Sequence, residues 1–108
     1  MSQLLPGLNA QATITIKPED VPTFLKELQP IYEKVTAEPQ CISFEVFQST
    51  DNPGVIHLVE NWTESVQWFM EVQAKKEYYK AYFEAIKPLF VEPLKFQIFN
   101  RLLFSYKA

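Results

Sequence analysis

Alternation between apolar and polar side chains predicts four β-strands in this chain. The alternating segments are residues 9–16, 41–48, 55–62 and 94–106. Residues 49–54 separate the second and third segments and consist of turn-forming types, including Asp, Asn, Pro and Gly. These two strands should therefore form a hairpin.

Apolar residues spaced three and four apart predict helices between the strands. The first helix should cover residues 17–38, opened by a proline and two acidic residues and kinked at Pro30. Two further helices should cover residues 64–73 and 76–89, with Thr63 as the N-cap of the former.

The order of these elements is strand, helix, hairpin, helices and strand, which is typical of a ferredoxin-like α+β fold. Such a fold has a four-stranded antiparallel sheet with helices on one face, and in a monomer the second face is polar. The last strand is instead apolar on both faces. Phe99 and Leu103 lie on one face, and the other carries Leu94, Phe96, Ile98, Leu102 and Phe104. Because this apolar surface needs a cover, we expect a homodimer in which two sheets pack face to face.

Composition and charge narrow the class of protein. The 108 residues, 47% of them hydrophobic and 21% charged, are enough for one folded domain covering residues 1–108 and not for two. The net charge of −3 and a single arginine, Arg101, leave no basic surface for nucleic acid. One cysteine, Cys41, excludes an internal disulfide, and no apolar run is long enough to cross a membrane. With no signal-peptide pattern at the N-terminus, we expect a cytoplasmic protein.

A short motif at the end of the third strand resembles a known family. The segment Val59-Glu-Asn-Trp62 leads into a helix, and the next helix carries Tyr78-Tyr-Lys-Ala-Tyr82. Together with the preceding hairpin, these features resemble the antibiotic-biosynthesis-monooxygenase domain. The resemblance implies a dimeric α/β barrel and an oxygenase that works without a cofactor. Phe83 and Ala12 stand at the positions that correspond to haem-contacting residues of related haem-degrading enzymes, so haem ligation is not expected.

His57 is the single histidine and lies in the middle of the third strand. Its imidazole titrates near neutrality, so it is a candidate base or hydrogen-bond donor in a cavity. The alternative is a histidine at the sheet surface or the dimer interface, held by a neighbour. Strand alternation places His57 and Asn61 on one face, and Glu60 and Trp62 on the other.

The other acidic and sulfur-bearing groups of the sheet are interpreted as structural. Glu45 and Glu60 lie on adjacent strands and should pair across the sheet with Lys95 or Arg101. No spacing of histidine, cysteine and acidic residues indicates a metal site. Cys41 is expected to be a small buried residue and not a nucleophile.

Aromatic residues are concentrated in the two helices that follow the hairpin and predict a pocket between helices and sheet. Tyr78 and Tyr82 are four residues apart, so their hydroxyls share one helical stripe. We assign catalytic roles to His57, Asn61, Trp68, Tyr78 and Tyr82. Substrate contacts are assigned to Trp62, Phe69, Gln73, Tyr79 and Phe83. The alternative is that these aromatic rings only fill the core.

Function remains open between classes at this point. The resemblance implies a small cofactor-independent monooxygenase that acts on an aromatic or polyketide-like phenol. A non-catalytic homodimeric module for an apolar metabolite fits the same features, and so does a lyase or cyclase on the same scaffold. The expected partners are a second copy of the chain and a small apolar or aromatic ligand, with neither nucleic acid nor membrane.

Overall fold

The computed structural model describes residues 4–104, which form a four-stranded sheet and three α-helices. The elements in chain order are β1 (Leu4–Thr15), α1 (Val21–Thr36), β2 (Cys41–Gln48), β3 (Val55–Trp62), α2 (Val66–Glu71), α3 (Tyr78–Ile86) and β4 (Lys95–Leu102). Short 3₁₀ turns precede α1 and α3, and another follows α3. Within residues 4–104, no helix has the length and apolar character to span a membrane.

The four strands are antiparallel and lie in the order β2-β3-β1-β4. The two central strands are therefore the first and third of the chain, with the hairpin strand β2 and the last strand β4 at the edges. This topology, with helices between the strands along the chain, confirms the predicted ferredoxin-like α+β fold.

The helices pack on one face of the sheet because both layers present apolar side chains at the expected period. Along α1, the buried residues Phe24, Leu28, Ile31 and Val35 recur at spacings of three and four. On the central strands the buried residues are two or four positions apart, so they share one face. They are Leu8, Ala10 and Ile14 in β1, and Ile56, Leu58 and Trp62 in β3.

The first strand begins at Leu4, before residue 9 where the alternation predicted it. Gly7 has a φ of 88°, and the register of β1 with β4 shifts between Leu4 and Leu8. This irregularity interrupts the alternation of apolar and polar side chains, so the alternation does not predict the first residues of the strand. A Cβ atom at Gly7 would overlap the backbone oxygen of Trp62, so glycine is required there.

The last strand is shorter than predicted, because β4 ends at Leu102. Leu103 follows the strand, and residues 105–106 of the predicted strand lie outside the described residues. Phe99 is on the uncovered face and 40% exposed, as the pattern indicated. Leu103 is not part of the strand, so the apolar area on the second face is narrower than predicted.

The predicted N-cap of α2 is wrong. The N-cap of α2 is Ser65, whose Oγ accepts a hydrogen bond from the backbone N–H of Trp68 at 3.1 Å. The predicted cap, Thr63, instead donates its hydroxyl to the Glu64 carboxylate at 3.2 Å. α1 continues as one helix on both sides of Pro30.

Candidate active site

A cavity of about 260 Å³ lies between the helices and the covered face of the sheet. It is only slightly smaller than the range of about 300–1,000 Å³ that is typical of small-molecule sites. Its walls are largely apolar and include Leu28, Ile31, Val35, Leu58, Phe69 and Phe96. Ala12 contributes to the space because it lies opposite Leu58 in β3 and Phe96 in β4 and has only a methyl group.

Glu60 is the one charged side chain that lines this cavity among the described residues. Burial raises the pKa of its carboxyl from the ordinary value of 4.5 to about 7. The indole N–H of Trp62 donates to Glu60 Oε1 at 3.0 Å, which favours the carboxylate and limits the rise of the pKa. A carboxyl with these properties exchanges a proton near neutral pH, as a general base must.

Strand alternation explains why a glutamate stands in the cavity. Glu60 is two residues from Leu58 and from Trp62, so all three point towards the helices. In register, Glu60 lies opposite Ala10 on one side and Phe44 on the other, and neither can neutralise it.

The predicted ion pairing of Glu60 with Lys95 or Arg101 is therefore wrong. These basic residues belong to β4, which is separated from β3 by β1, and Glu60 points to the covered face. Arg101 donates instead to the backbone oxygen of Pro6 at 2.9 Å. The alternation already placed Glu60 beside Trp62, so the signal for a cavity carboxylate was present in the sequence.

Tyr82 brings a hydroxyl to the same cavity. The residue is 7% exposed, and its hydroxyl oxygen is buried without a hydrogen-bond partner among the described residues. Burial raises the pKa of Tyr82, and the nearby charge of Glu60 raises it further, so the phenol keeps its proton. An unpaired buried donor costs about 1–3 kcal/mol, which a ligand oxygen would recover.

Tyr79 also lines the cavity and is tied to a buried amide. The Nε2 group of Gln73 donates to the hydroxyl of Tyr79 at 2.9 Å and to that of Tyr78 at 2.7 Å. Burial raises the pKa of Tyr79, so this phenol is also neutral. Tyr78 in turn donates to Glu38 Oε2 at 3.3 Å, and Lys76 Nζ lies 2.7 Å from the same oxygen.

A cluster of aromatic rings supports the cavity on the side of α2. Trp62 is fully buried, and its ring centroid lies 5.9 Å from that of Trp68 and 5.7 Å from that of Phe69. Phe69 in turn stacks on Phe96 of β4, with 6.0 Å between centroids. This packing fixes the indole of Trp62 and hence the position of the Glu60 carboxylate.

His57 and Asn61 lie on the opposite, uncovered face of the sheet. His57 Nδ1 is 2.8 Å from Thr13 Oγ1, and its Nε2 is 2.9 Å from Gln11 Oε1. Asn61 accepts from Asn9 at 2.9 Å and donates to a serine of β2. The sheet separates both residues from the cavity, in agreement with the alternation that grouped them together.

The structure thus brings together part of the residues that the sequence analysis assigned to a site. The residues that line the cavity are Phe69, Tyr79, Tyr82 and Phe83. A layer behind them, hydrogen-bonded to each other or to cavity residues, consists of Trp62, Gln73 and Tyr78. Trp68 packs on Trp62, and His57 and Asn61 are on the other face.

Cys41 is half-buried at the start of β2. Burial, together with the charge of Glu60, raises the pKa of the thiol to about 11, so at neutral pH it is a protonated thiol and not a nucleophile. In the described part of the chain, no three His, Cys, Asp or Glu side chains are grouped so as to hold a metal ion.

Comparison with known proteins identifies the family. The family model described as "Antibiotic biosynthesis monooxygenase" matches residues 8–85, which include the cavity residues of β3, α2 and α3. The chain belongs to this family. The family resemblance drawn from the Glu-Asn-Trp segment and the tyrosine-rich helix is thereby confirmed.

Two kinds of relatives agree with this assignment. A protein of Pestalotiopsis microspora, named "Putative monooxygenase GME11364", is 34% identical over 97 residues, which cover 90% of this chain and 81% of that protein. Solved structures share the fold. One from Caulobacter crescentus, described as a "putative antibiotic biosynthesis monooxygenase", has a TM-score of 0.80 and 20% identity over 92% of this chain and 93% of that one. A conserved protein of Methanosarcina mazei has a TM-score of 0.77, also at 20% identity, over 92% and 94%.

Proposed function

We propose that this protein is a cofactor-independent monooxygenase that oxidises a neutral, phenolic, fused-ring aromatic substrate in the cavity. Family membership supports a monooxygenase-type activity. The observation that carries the finer proposal is Glu60, a carboxyl without a basic partner in a largely apolar cavity, with a pKa of about 7. Such a group can take a proton from a bound phenol at neutral pH.

The reaction begins with transfer of the phenol proton to Glu60. The resulting anion is electron-rich and can pass an electron to dioxygen, because the radical that remains is delocalised over the fused rings. Where the ring system carries a methylene group conjugated to the phenol, one oxygen atom of O₂ becomes the carbonyl oxygen at that carbon. The other oxygen atom leaves as water with the two methylene hydrogens, and the phenol recovers its proton from Glu60. The substrate loses four electrons and O₂ gains four, so no external reductant is needed.

The remaining cavity residues supply binding and charge stabilisation. Tyr82 has a hydroxyl without a partner, which can donate to the oxygen anion of the deprotonated substrate. Trp62 holds the carboxylate of Glu60 from behind. The apolar walls fit flat rings, and a bound ring system would displace water from both groups, which strengthens both interactions.

We also infer that two copies of the chain pack through the uncovered faces of their sheets. Phe47 and Phe99 lie on this face and are 46% and 40% exposed. Between them, the polar side chains bond to one another, as His57 does with Thr13, so they can be buried without loss. Sedimentation at micromolar concentration should give twice the chain mass of 12.6 kDa.

Oxygen uptake with a dihydroxyanthracenone tests the proposal. The purified protein, with no flavin or metal added, should accelerate O₂ consumption and quinone formation, with a rate that rises with pH through about 7 as Glu60 loses its proton. Glu60→Gln should reduce this rate by about 10²–10⁴-fold, the usual contribution of a general base. Glu84→Gln, a matched change at an exposed position of α3, should not affect it. Binding without any oxidation would reject the enzyme and favour the non-catalytic binding module.

A further inference from the structure

Gln73 is a fully buried polar side chain that the proposed reaction does not use. Both protons of its amide are engaged, one by the hydroxyl oxygen of Tyr78 and one by that of Tyr79. Its Oε1 atom is buried and has no hydrogen-bond partner among the described residues. The amide therefore gives up one acceptor contact in order to donate to both tyrosines.

The orientation of this amide follows from the residues on its outer side. A phenol has a single proton, and Tyr78 donates its proton to Glu38 Oε2. The oxygen of Tyr78 must then accept from Gln73, which requires the nitrogen of the amide and not its oxygen to face the phenols. Lys76 pairs with Glu38 at 2.7 Å and keeps this carboxylate in place.

This orientation of the Gln73 amide also limits where the hydroxyl proton of Tyr79 can point. Its oxygen accepts from Gln73, so its own proton has to point elsewhere. Among the described residues there is no hydrogen bond in which Tyr79 is the donor, and the neighbouring Tyr78 oxygen already accepts from Gln73. The other direction open to the proton is the cavity, which Tyr79 lines.

We propose that Gln73 is a positioning residue that makes Tyr79 a hydrogen-bond donor to an acceptor oxygen of the ligand in the cavity. The inference rests on the proposed function in taking the cavity as a site for oxygen-bearing aromatic molecules. It adds to the site a second donor beside Tyr82 and predicts a preference for aromatic ketones over the corresponding hydrocarbons.

A matched pair of ligands tests this preference without turnover. 1-Tetralone and tetralin have the same fused rings and differ in one carbonyl oxygen, and neither has a phenol for Glu60 to deprotonate. The dissociation constants of both are measured by titration calorimetry or ligand-observed NMR at pH 8. The wild-type protein should prefer 1-tetralone, and Tyr79→Phe should lower that preference by about two- to tenfold, the worth of one neutral hydrogen bond.

Variants of Gln73 separate positioning from simple packing. In Gln73→Glu the carboxylate accepts from both tyrosines, so the proton of Tyr79 turns away from the cavity and the ketone preference should fall as in Tyr79→Phe. Combining the two changes should cause no further loss, and tetralin should bind as before. As a control, Lys80→Ala removes an exposed lysine of α3 that makes no hydrogen bond or ion pair with this network among the described residues, so the preference should persist.

The outcomes are separable from failure of the proposed function. An unchanged preference in Tyr79→Phe overturns the inference, and this variant keeps the ring, so it serves even if Gln73→Glu does not fold. A further loss from Gln73→Glu in the Tyr79→Phe background, or an equal loss of tetralin affinity, also overturns it, because Gln73 would then act only through packing. If the wild-type protein binds neither compound, the inference is overturned, while the oxygen-uptake assay still decides the proposed function.

Discussion

Replacing Glu60 with glutamine tests the candidate base through protein stability, without any substrate. Burial raises the pKa of Glu60 from 4.5 to about 7 in the folded protein. The folded chain therefore holds this proton more tightly than the unfolded chain, and unfolding releases it at pH values between the two. The free energy of unfolding contributed by Glu60 consequently falls as the pH rises through this window.

The expected size of the effect follows from the same two pKa values. Their difference corresponds to about 3 kcal/mol, the cost of holding the carboxylate in the cavity above pH 7. Glu60→Gln keeps the side-chain volume and an oxygen for the indole N–H of Trp62, but it has no charge to bury. We expect the variant to gain about 3 kcal/mol relative to the wild type between about pH 4.5 and pH 8.

Urea unfolding followed by tryptophan fluorescence measures this difference, because Trp62 and Trp68 are both ordered in the fold. The free energies of unfolding of wild type and variant are subtracted at each of several pH values, so contributions from other titrating groups cancel. One protein concentration is used throughout. Glu84→Gln, the same change at an exposed position of α3, is the control for removing a carboxylate outside the cavity. If the difference between wild type and Glu60→Gln does not vary with pH, the carboxyl titrates at its ordinary pKa, and the reasoning that makes it a base at neutral pH is refuted.

Changes at three further residues test other parts of the structure. Tyr82→Phe should weaken binding of a hydroxylated aromatic by about 0.5–1.5 kcal/mol in calorimetry. The same change should leave the stability of the fold unchanged or slightly higher, because it removes an unpaired buried hydroxyl. Tyr82→Ala, which removes the ring, should lower the free energy of unfolding by about 3–5 kcal/mol. Phe99→Asp should convert the dimer to a monomer in sedimentation, and a dimer of unchanged stability would show that another surface is used. Gly7→Ala should lower stability by more than about 1 kcal/mol in urea unfolding, since its φ is 88° and a Cβ would overlap Trp62; an unaltered midpoint would contradict this.

The fold could be predicted from the sequence because its central elements have regular periods. The alternation in β3 and the three-and-four spacing in α1 are uninterrupted. The predicted bounds of β2 and β3 agree with the structure, although the register of β2 with β3 shifts between Cys41 and Ser43. The ends of β1 and β4 could not be predicted in the same way. Gly7 breaks the period at one end, and the apolar run after Leu102 continues where the strand does not.

The site was only partly predictable from the sequence, because the type of a residue was given more weight than its place in the strand alternation. The sequence assigned His57 and Asn61 to the site because of their chemistry, although the same alternation placed them away from Trp62 and the helices. Glu60 was interpreted as structural, with Lys95 or Arg101 as its partner across the sheet. The alternation was the better guide, since it depends on the position of a side chain and not on its type.

The position of Glu60 in the cavity also lowers the stability of the folded protein. A carboxylate held in an apolar cavity opposes folding at neutral pH, and an apolar side chain at this position would make the chain more stable. The indole of Trp62 reduces that cost with one hydrogen bond and does not abolish it. Tyr82, with a buried hydroxyl that bonds to nothing described, opposes folding in the same place. Two unfavourable groups that face one cavity have no role in stabilising the fold, and a ligand that offers a proton to one and an oxygen to the other would satisfy both.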